Sequence, residues 1–237
     1  MPAEGPRLPE KVEAVLLDAG GVLLDLDYAY LRRLVRARRH EVTLAALAAA
    51  EALARREQDR GVRQGRRVSD SWRSYFHTLL GQVGLQRDEH VGIIDSLWEA
   101  HQRSGLWTVA VGGAVESVAR LKEAGFRLGV VSNAEGQVAR DLDNAGFGGM
   151  FETVVDSHLV GVEKPDPAIF DIALERMGGL GAESAVYLGD LPIVDVEGAR
   201  SAGLTPILLD RFDLYPEVDV TRLRSFEELP RLLDGSS

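Results

Sequence analysis

The chain has 237 residues, 27 basic against 37 acidic, and no cysteine. Hydrophobic residues at 45% and charged residues at 27% are ordinary globular values, which excludes wholesale disorder, and the lack of cysteine excludes disulfides, thiolate metal sites and cysteine nucleophiles. A net charge of −10 argues against a general nucleic-acid coat, and the length suits one large domain or two unequal ones with a real core.

The first eleven residues carry three prolines, two glutamates and no apolar stretch, so they do not read as a signal peptide. Apolar runs stay far short of the ~20 residues needed to cross a bilayer, and a cytoplasmic protein is expected. Val12 to Leu17 reads as a buried strand that runs into Asp18-Ala-Gly-Gly21, a glycine turn. From Asp25 to Trp107 the apolar spacing is helical only. Leu31, Leu34 and Val35 begin one stripe, Thr43 to Arg56 forms an alanine-rich helix with Thr43 as N-cap, and Trp72, Tyr75, Phe76, Leu79, Leu80 and Val83 form another. Val91, Ile94 and Trp98 suggest a last helix in this block.

Beyond residue 110 helices and strands alternate. Helices are expected over Val115 to Glu123, Val138 to Ala145, after Pro165-Asp-Pro167, up to Ala202, and near Phe226 to Leu233. Strands are expected at Phe126 to Val131, Thr153 to Val155, Ser184 to Leu188 and Thr205 to Leu209. This alternation implies an α/β fold, a Rossmann-like parallel sheet with helices on both faces. The helical block is then an insertion, with residues 1–24 and 108–237 as core and 25–107 as an all-helical cap.

Charge divides along the same line. Residues 25–108 hold 14 Arg and no Lys against 11 acids, a net of +3, and the remainder has a net of −13. Solvated helix faces account for such a pattern; a basic lid over an acidic floor would in addition draw in a small anionic substrate. A nucleic-acid surface is not expected, because Trp72, Tyr75 and Phe76 sit at core spacing. Only three lysines occur, Lys11, Lys122 and Lys164. The histidines, His40, His77, His90, His101 and His158, show no metal-ligand spacing.

In a parallel sheet, ligands bind at the carboxyl ends of the strands. The predicted strands end at Asp18, at Ser132-Asn133 and at Asp190, with Asp195 five residues on; a loop carries Lys164. Each alone reads as a cap or a surface residue, but together they converge on one edge. Clustered carboxylates need a cation, and an all-oxygen set selects magnesium (Mg2+) over zinc. Lys164 and Ser132 can hold phosphoryl oxygens, and a carboxylate can attack phosphorus. The Walker pattern is absent.

Four stretches carry a resemblance: Leu17-Asp-Ala-Gly-Gly-Val-Leu23, Val131-Ser-Asn133, Gly161-Val-Glu-Lys-Pro-Asp-Pro167 and Leu188-Gly-Asp-Leu-Pro-Ile-Val-Asp195. With Asp195-Val-Glu-Gly-Ala-Arg-Ser-Ala-Gly203 they resemble the haloacid dehalogenase-like (HAD) superfamily over nearly the whole chain, the helical block being similar to that family's cap. The resemblance implies Asp18 as nucleophile, Ser132 and Lys164 as phosphoryl-binding, and Asn133 as a helper in orienting phosphate. It also implies magnesium held by Asp18, the Gly20 carbonyl, Asp190 and Asp195, the last two with the first usually direct.

One position departs. The family's phosphatases usually carry a second Asp two residues after the nucleophile, as general acid–base; here it is Gly20. Loss of such a group typically costs about 10²–10⁴ in rate. The expected function is a magnesium-dependent phosphatase of a small phosphorylated metabolite acting through an aspartyl-phosphate, slow or restricted to easy leaving groups, with Asp25, Asp27 or a cap residue as possible substitutes. The alternatives are a phosphate-binding or regulatory protein without turnover and a haloacid dehalogenase, which lacks the second Asp but is metal-independent. A phosphonate hydrolase would need a cap lysine, and the block has none.

Overall fold

The computed structural model describes residues 8–234; the first seven residues, most of the stretch read as carrying no targeting signal, lie outside it. Strand β1 (Ala14–Leu17) is buried at all four positions, as an apolar run in the middle of a parallel sheet must be. A tight turn follows, in which the Ala19 carbonyl accepts from Leu23 N and Leu24 N, both at 2.8 Å. Gly21 has φ +83°, a conformation that favours glycine.

The chain then passes through β2 (Leu24–Leu26) into four helices: α1 (Tyr28–Arg36), α2 (Leu44–Arg63), α3 (Trp72–Gln82) and α4 (Arg87–Ser104). Their starts follow local chemistry. Asp27 caps α1 by accepting from Tyr30 N at 2.8 Å. Thr43 caps α2 through Ala46 N at 3.1 Å, and Gln86 and Glu89 form a reciprocal capping box on α4. The stripe read from Trp72 onward faces inward: Tyr75, Phe76, Leu79 and Leu80 are buried with Leu31, Leu47, Ile94 and Leu97. The return segment is β3 (Trp107–Ala110).

Next come α5 (Ala114–Glu123), β4 (Arg127–Ser132), α6 (Val138–Leu142), β5 (Thr153–Asp156), α7 (Ser157–Val160), α8 (Ala168–Arg176), β6 (Ala185–Gly189), α9 (Gly198–Ser201), β7 (Thr205–Leu209), β8 (Thr221–Leu223) and α10 (Glu228–Asp234). Six strands form one sheet in the order β5-β4-β1-β6-β7-β8, with every recorded pairing parallel. The chain builds outward from β1 on one side and then crosses to the other. The carboxyl end of β1 therefore lies at a topological switch point, where such sheets open a crevice. This is the Rossmann-like α/β fold expected from the alternation.

Several local expectations change. The block from Asp25 to Trp107 is not purely helical, because β2 and β3 pair as a two-stranded sheet at its ends. Segments of three or four residues are too short to show a strand period. The helix expected over Val138 to Ala145 leaves α geometry after Leu142 and continues as a wider turn to Phe147, with Gly146 at φ +100°. Strand β8 falls outside the expected set, as does the short α7, which Asp156 caps at its start and Gly161, at φ +74°, closes. By internal packing the described chain divides into two units, residues 25–109 and the remainder. No helix among the described residues is long and apolar enough to cross a membrane.

Candidate active site

The sheet register assembles the site. Leu17 lies opposite Val130 on one side and Leu188 on the other. Asp18, one residue on, therefore emerges between Val131 and Gly189, and Ser132 and Asp190 lie one residue further along their own strands. Backbone bonding continues past the strand, with Asp18 N donating to Leu188 O at 2.9 Å. Asp18, Asp190 and Asp195 each bring a carboxylate oxygen within 4.8 Å of the others. Among the described residues this is the sole cluster of three or more acids and histidines able to hold a metal. None of the five histidines belongs to it.

Lys164 sits at the centre. Its ammonium donates to Asp18 Oδ1, Asp195 Oδ1 and the Tyr187 hydroxyl, each at 2.8 Å. Asp18 Oδ1 also accepts from Ala19 N at 2.7 Å. Burial pushes the Asp18 carboxyl above the usual carboxylate range against the pull of Lys164, and the negative charge of Asp195 adds to the rise. Burial also opposes the charge on Lys164, but Asp18 and Asp195 together hold it above its ordinary value. The lysine therefore stays protonated between the two carboxylates.

Asp195 is wholly buried and its oxygens are already in use. Oδ1 accepts from Lys164 and from the Tyr187 hydroxyl at 3.1 Å; Oδ2 accepts from Asp190 N at 3.1 Å and Leu191 N at 2.9 Å. Gly189 is what allows this approach, since a Cβ there would overlap Asp195 Cβ and Cγ. Asp195 therefore fixes Lys164 and the backbone that carries Asp190. Of the expected metal-holding set, Asp18, Asp190 and Asp195 come together, and Asp195, whose oxygens are engaged, suits an indirect role through charge. Three acids around one lysine make a surplus of negative charge on oxygen donors alone, which suits a magnesium ion.

Asn133 has a different task from facing a ligand. Its Nδ2 donates to Lys164 O at 2.9 Å and its Oδ1 accepts from Lys164 N at 2.8 Å. This reciprocal pair clamps the lysine loop to the end of β4. Asp156, which ends β5, braces the loop after β4 by accepting from Gly136 N at 2.9 Å. Sequence reading missed Tyr187 and Asp156. Tyr187 stands inside an apolar strand and looks like a core aromatic; Asp156 ends a strand as Asp18 and Asp190 do, and that signal was available. Asp27, one of the residues considered for the acid absent at Gly20, engages Oδ1 in capping α1. Several arginines of the helical block have acidic partners within it: Arg36 with Glu41, Arg55 with Glu51, Arg60 with Glu57 and Arg73 with Asp95.

The chain is similar to known proteins. Residues 12–203 match the sequence profile described as haloacid dehalogenase-like hydrolase. A glyceraldehyde 3-phosphate phosphatase of Methanopyrus kandleri is 28% identical over 67% of this chain and 72% of its own. A phosphoserine phosphatase of Thermus thermophilus is 38% identical over 60% of this chain and 55% of its own. Haloacid dehalogenase-like hydrolase domain-containing protein 3 of Danio rerio is 39% identical over 48% of each chain. The chain thus spans about half the length of the latter two. In fold, a HAD-hydrolase of Bacillus subtilis solved with bound magnesium superposes with a TM-score of 0.67 at 20% identity, over 94% of this chain and 99% of that one. The matched profile covers the turn after β1, the lysine loop and both acids after β6, and on that ground the chain belongs to the haloacid dehalogenase-like hydrolase family.

Proposed function

We propose that the protein is a magnesium-dependent phosphatase of a small phosphorylated metabolite, acting through an aspartyl-phosphate on Asp18. The observation that carries this reading is the buried ammonium of Lys164 bonded to Asp18 within a cluster of three carboxylates at a sheet switch point. The names of the relatives from Methanopyrus kandleri and Thermus thermophilus support the same class. Asp18 attacks phosphorus, the bond to the leaving oxygen breaks, and water later hydrolyses the acyl phosphate to restore the carboxylate. Lys164 holds Asp18 in place and offsets charge on the transferring group, and Ser132 supplies a hydroxyl for a phosphoryl oxygen. Bound magnesium would supply further charge neutralisation there, held by Asp18, Asp190 and the Gly20 carbonyl. The helical unit, residues 25–109, is assigned as the cap that selects the substrate.

Gly20 shapes the substrate class. It offers no carboxylate to protonate a leaving oxygen, so aryl and acyl phosphates are favoured over alkyl phosphates, by about 10²-fold or more. The test is hydrolysis of an aryl phosphate with and without magnesium, and with Asp18→Asn. Activity that requires magnesium and vanishes in Asp18→Asn is expected; activity that persists in excess chelator defeats the metal scheme. Gly20 also favours a second reading, a phosphate-binding protein without turnover. Wild type inactive on a broad phosphate panel, with activity gained in Gly20→Asp, would establish that one instead.

A further inference from the structure

An ammonium has three N–H bonds, and all three of Lys164 are committed: to Asp18 Oδ1, to Asp195 Oδ1 and to the Tyr187 hydroxyl. A phosphoryl oxygen arriving at Asp18 can accept a hydrogen bond from Lys164 only if one of these bonds is given up. Two of the acceptors are carboxylates and one is a neutral hydroxyl, and the bond to the neutral acceptor is the weaker kind. The hydroxyl also keeps partners of its own. It lies 3.1 Å from Asp195 Oδ1 and 3.2 Å from Val131 O, so it stays hydrogen-bonded if Lys164 turns away. The ring also faces the ammonium, with Lys164 Nζ 5.5 Å from its centroid, a contact that phenylalanine would keep. Tyr187 is wholly buried in β6, opposite Leu16, and its ring meets Phe170 edge-on with centroids 4.9 Å apart.

We propose that Tyr187 is a positioning residue whose hydroxyl accepts the third N–H of Lys164 in the resting site and gives up that hydrogen bond to a phosphoryl oxygen when phosphate binds, the proton staying on the lysine throughout. This rests on the phosphatase reading above. Tyr187→Phe keeps the ring and its contact with Phe170 but removes the competing acceptor. Inorganic phosphate should then inhibit more tightly, by about fivefold, the worth of one ordinary hydrogen bond. KM should fall with it and kcat should fall too, because the same N–H now stays bonded to the product. A purely structural role predicts a lower melting temperature and weaker or unchanged phosphate inhibition.

A second readout is independent of turnover. The chain has three lysines, so 15N-lysine labelling resolves the buried Lys164 ammonium from those of exposed Lys11 and Lys122. Its protons should exchange slowly in the wild type and several-fold faster in Tyr187→Phe. Unchanged exchange, or unchanged phosphate inhibition in a variant that folds, overturns the proposal. If wild type neither hydrolyses phosphate esters nor shifts its Lys164 signal on adding phosphate and magnesium, the phosphatase reading itself has failed. Should Tyr187→Phe not fold, wild type labelled at tyrosine Cζ carries the test. The Tyr187 signal must then move on adding inorganic phosphate with magnesium, and a stationary signal refutes the exchange.

Discussion

Glu51 offers the sharpest stability test. It lies on α2 and is almost fully buried, yet four side chains converge on it. Its Oε1 accepts from the Tyr75 hydroxyl at 2.6 Å, Trp107 Nε1 at 3.1 Å and Arg55 Nε at 3.1 Å, and its Oε2 accepts from the Tyr28 hydroxyl. One carboxylate therefore ties α1, α2, α3 and β3 together inside the helical unit. Glu51→Gln keeps the shape but removes the charge that Arg55 faces. Breaking a buried pair from one side costs about 3–5 kcal/mol. Glu51→Ala strands the donors of Tyr28, Tyr75 and Trp107 as well, each at about 1–3 kcal/mol, less than additively, so it should sit at or above the upper end of that range. Burial alone would raise the Glu51 pKa, but Arg55 and the three other donors bring it below its ordinary 4.5. A lowered folded-state value means the stabilisation is present above pH 4.5 and disappears as pH falls through the folded value. The wild-type helical unit should lose stability on acidification in that window, and Glu51→Gln should lose less. All three tryptophans, Trp72, Trp98 and Trp107, lie in this unit, so urea unfolding followed by tryptophan fluorescence reports on it directly. A Glu51→Gln protein within 1 kcal/mol of wild type, as an order of magnitude, with the same acid slope, would refute the reasoning.

Three further outcomes follow from the site. Gly189→Ala places a Cβ against Asp195, so it should displace that carboxylate, lower the melting temperature by several degrees and reduce kcat/KM by about 10²-fold, read by thermal scan and aryl phosphate kinetics. Asn133→Ala removes both bonds to the Lys164 backbone; at about 1 kcal/mol each, kcat/KM should fall by about tenfold or more, while Asn133→Asp, which cannot donate to Lys164 O, should not rescue it. Lys164→Arg should be as inactive as Lys164→Met in the same assay, because a planar guanidinium cannot point three donors at Asp18, Asp195 and Tyr187 from so closed a position.

What the sequence determined by itself is whatever rests on local pattern. The apolar run before Asp18, the helical stripe from Trp72 and the Thr43 cap each depend on a few neighbouring residues, and each stands close to where it was read. The alternation after residue 110 implied a parallel sheet, and a parallel sheet carries its strand-end residues to one edge, so Asp18, Ser132 and Asp190 could be named before their geometry was known. What only the tertiary structure decided is which atoms meet there. Lys164 lies 23 residues from Tyr187 and 31 from both Asn133 and Asp195 in sequence. Those meetings depend on strand register and crossover lengths, which composition and periodicity do not encode. A tyrosine inside an apolar strand reads as packing until its hydroxyl is seen against an ammonium. The lysine shortage was visible from the first count, but not that all three protons of Lys164 are already taken. Local sequence chooses the elements; the closing of the sheet chooses their hydrogen-bond partners.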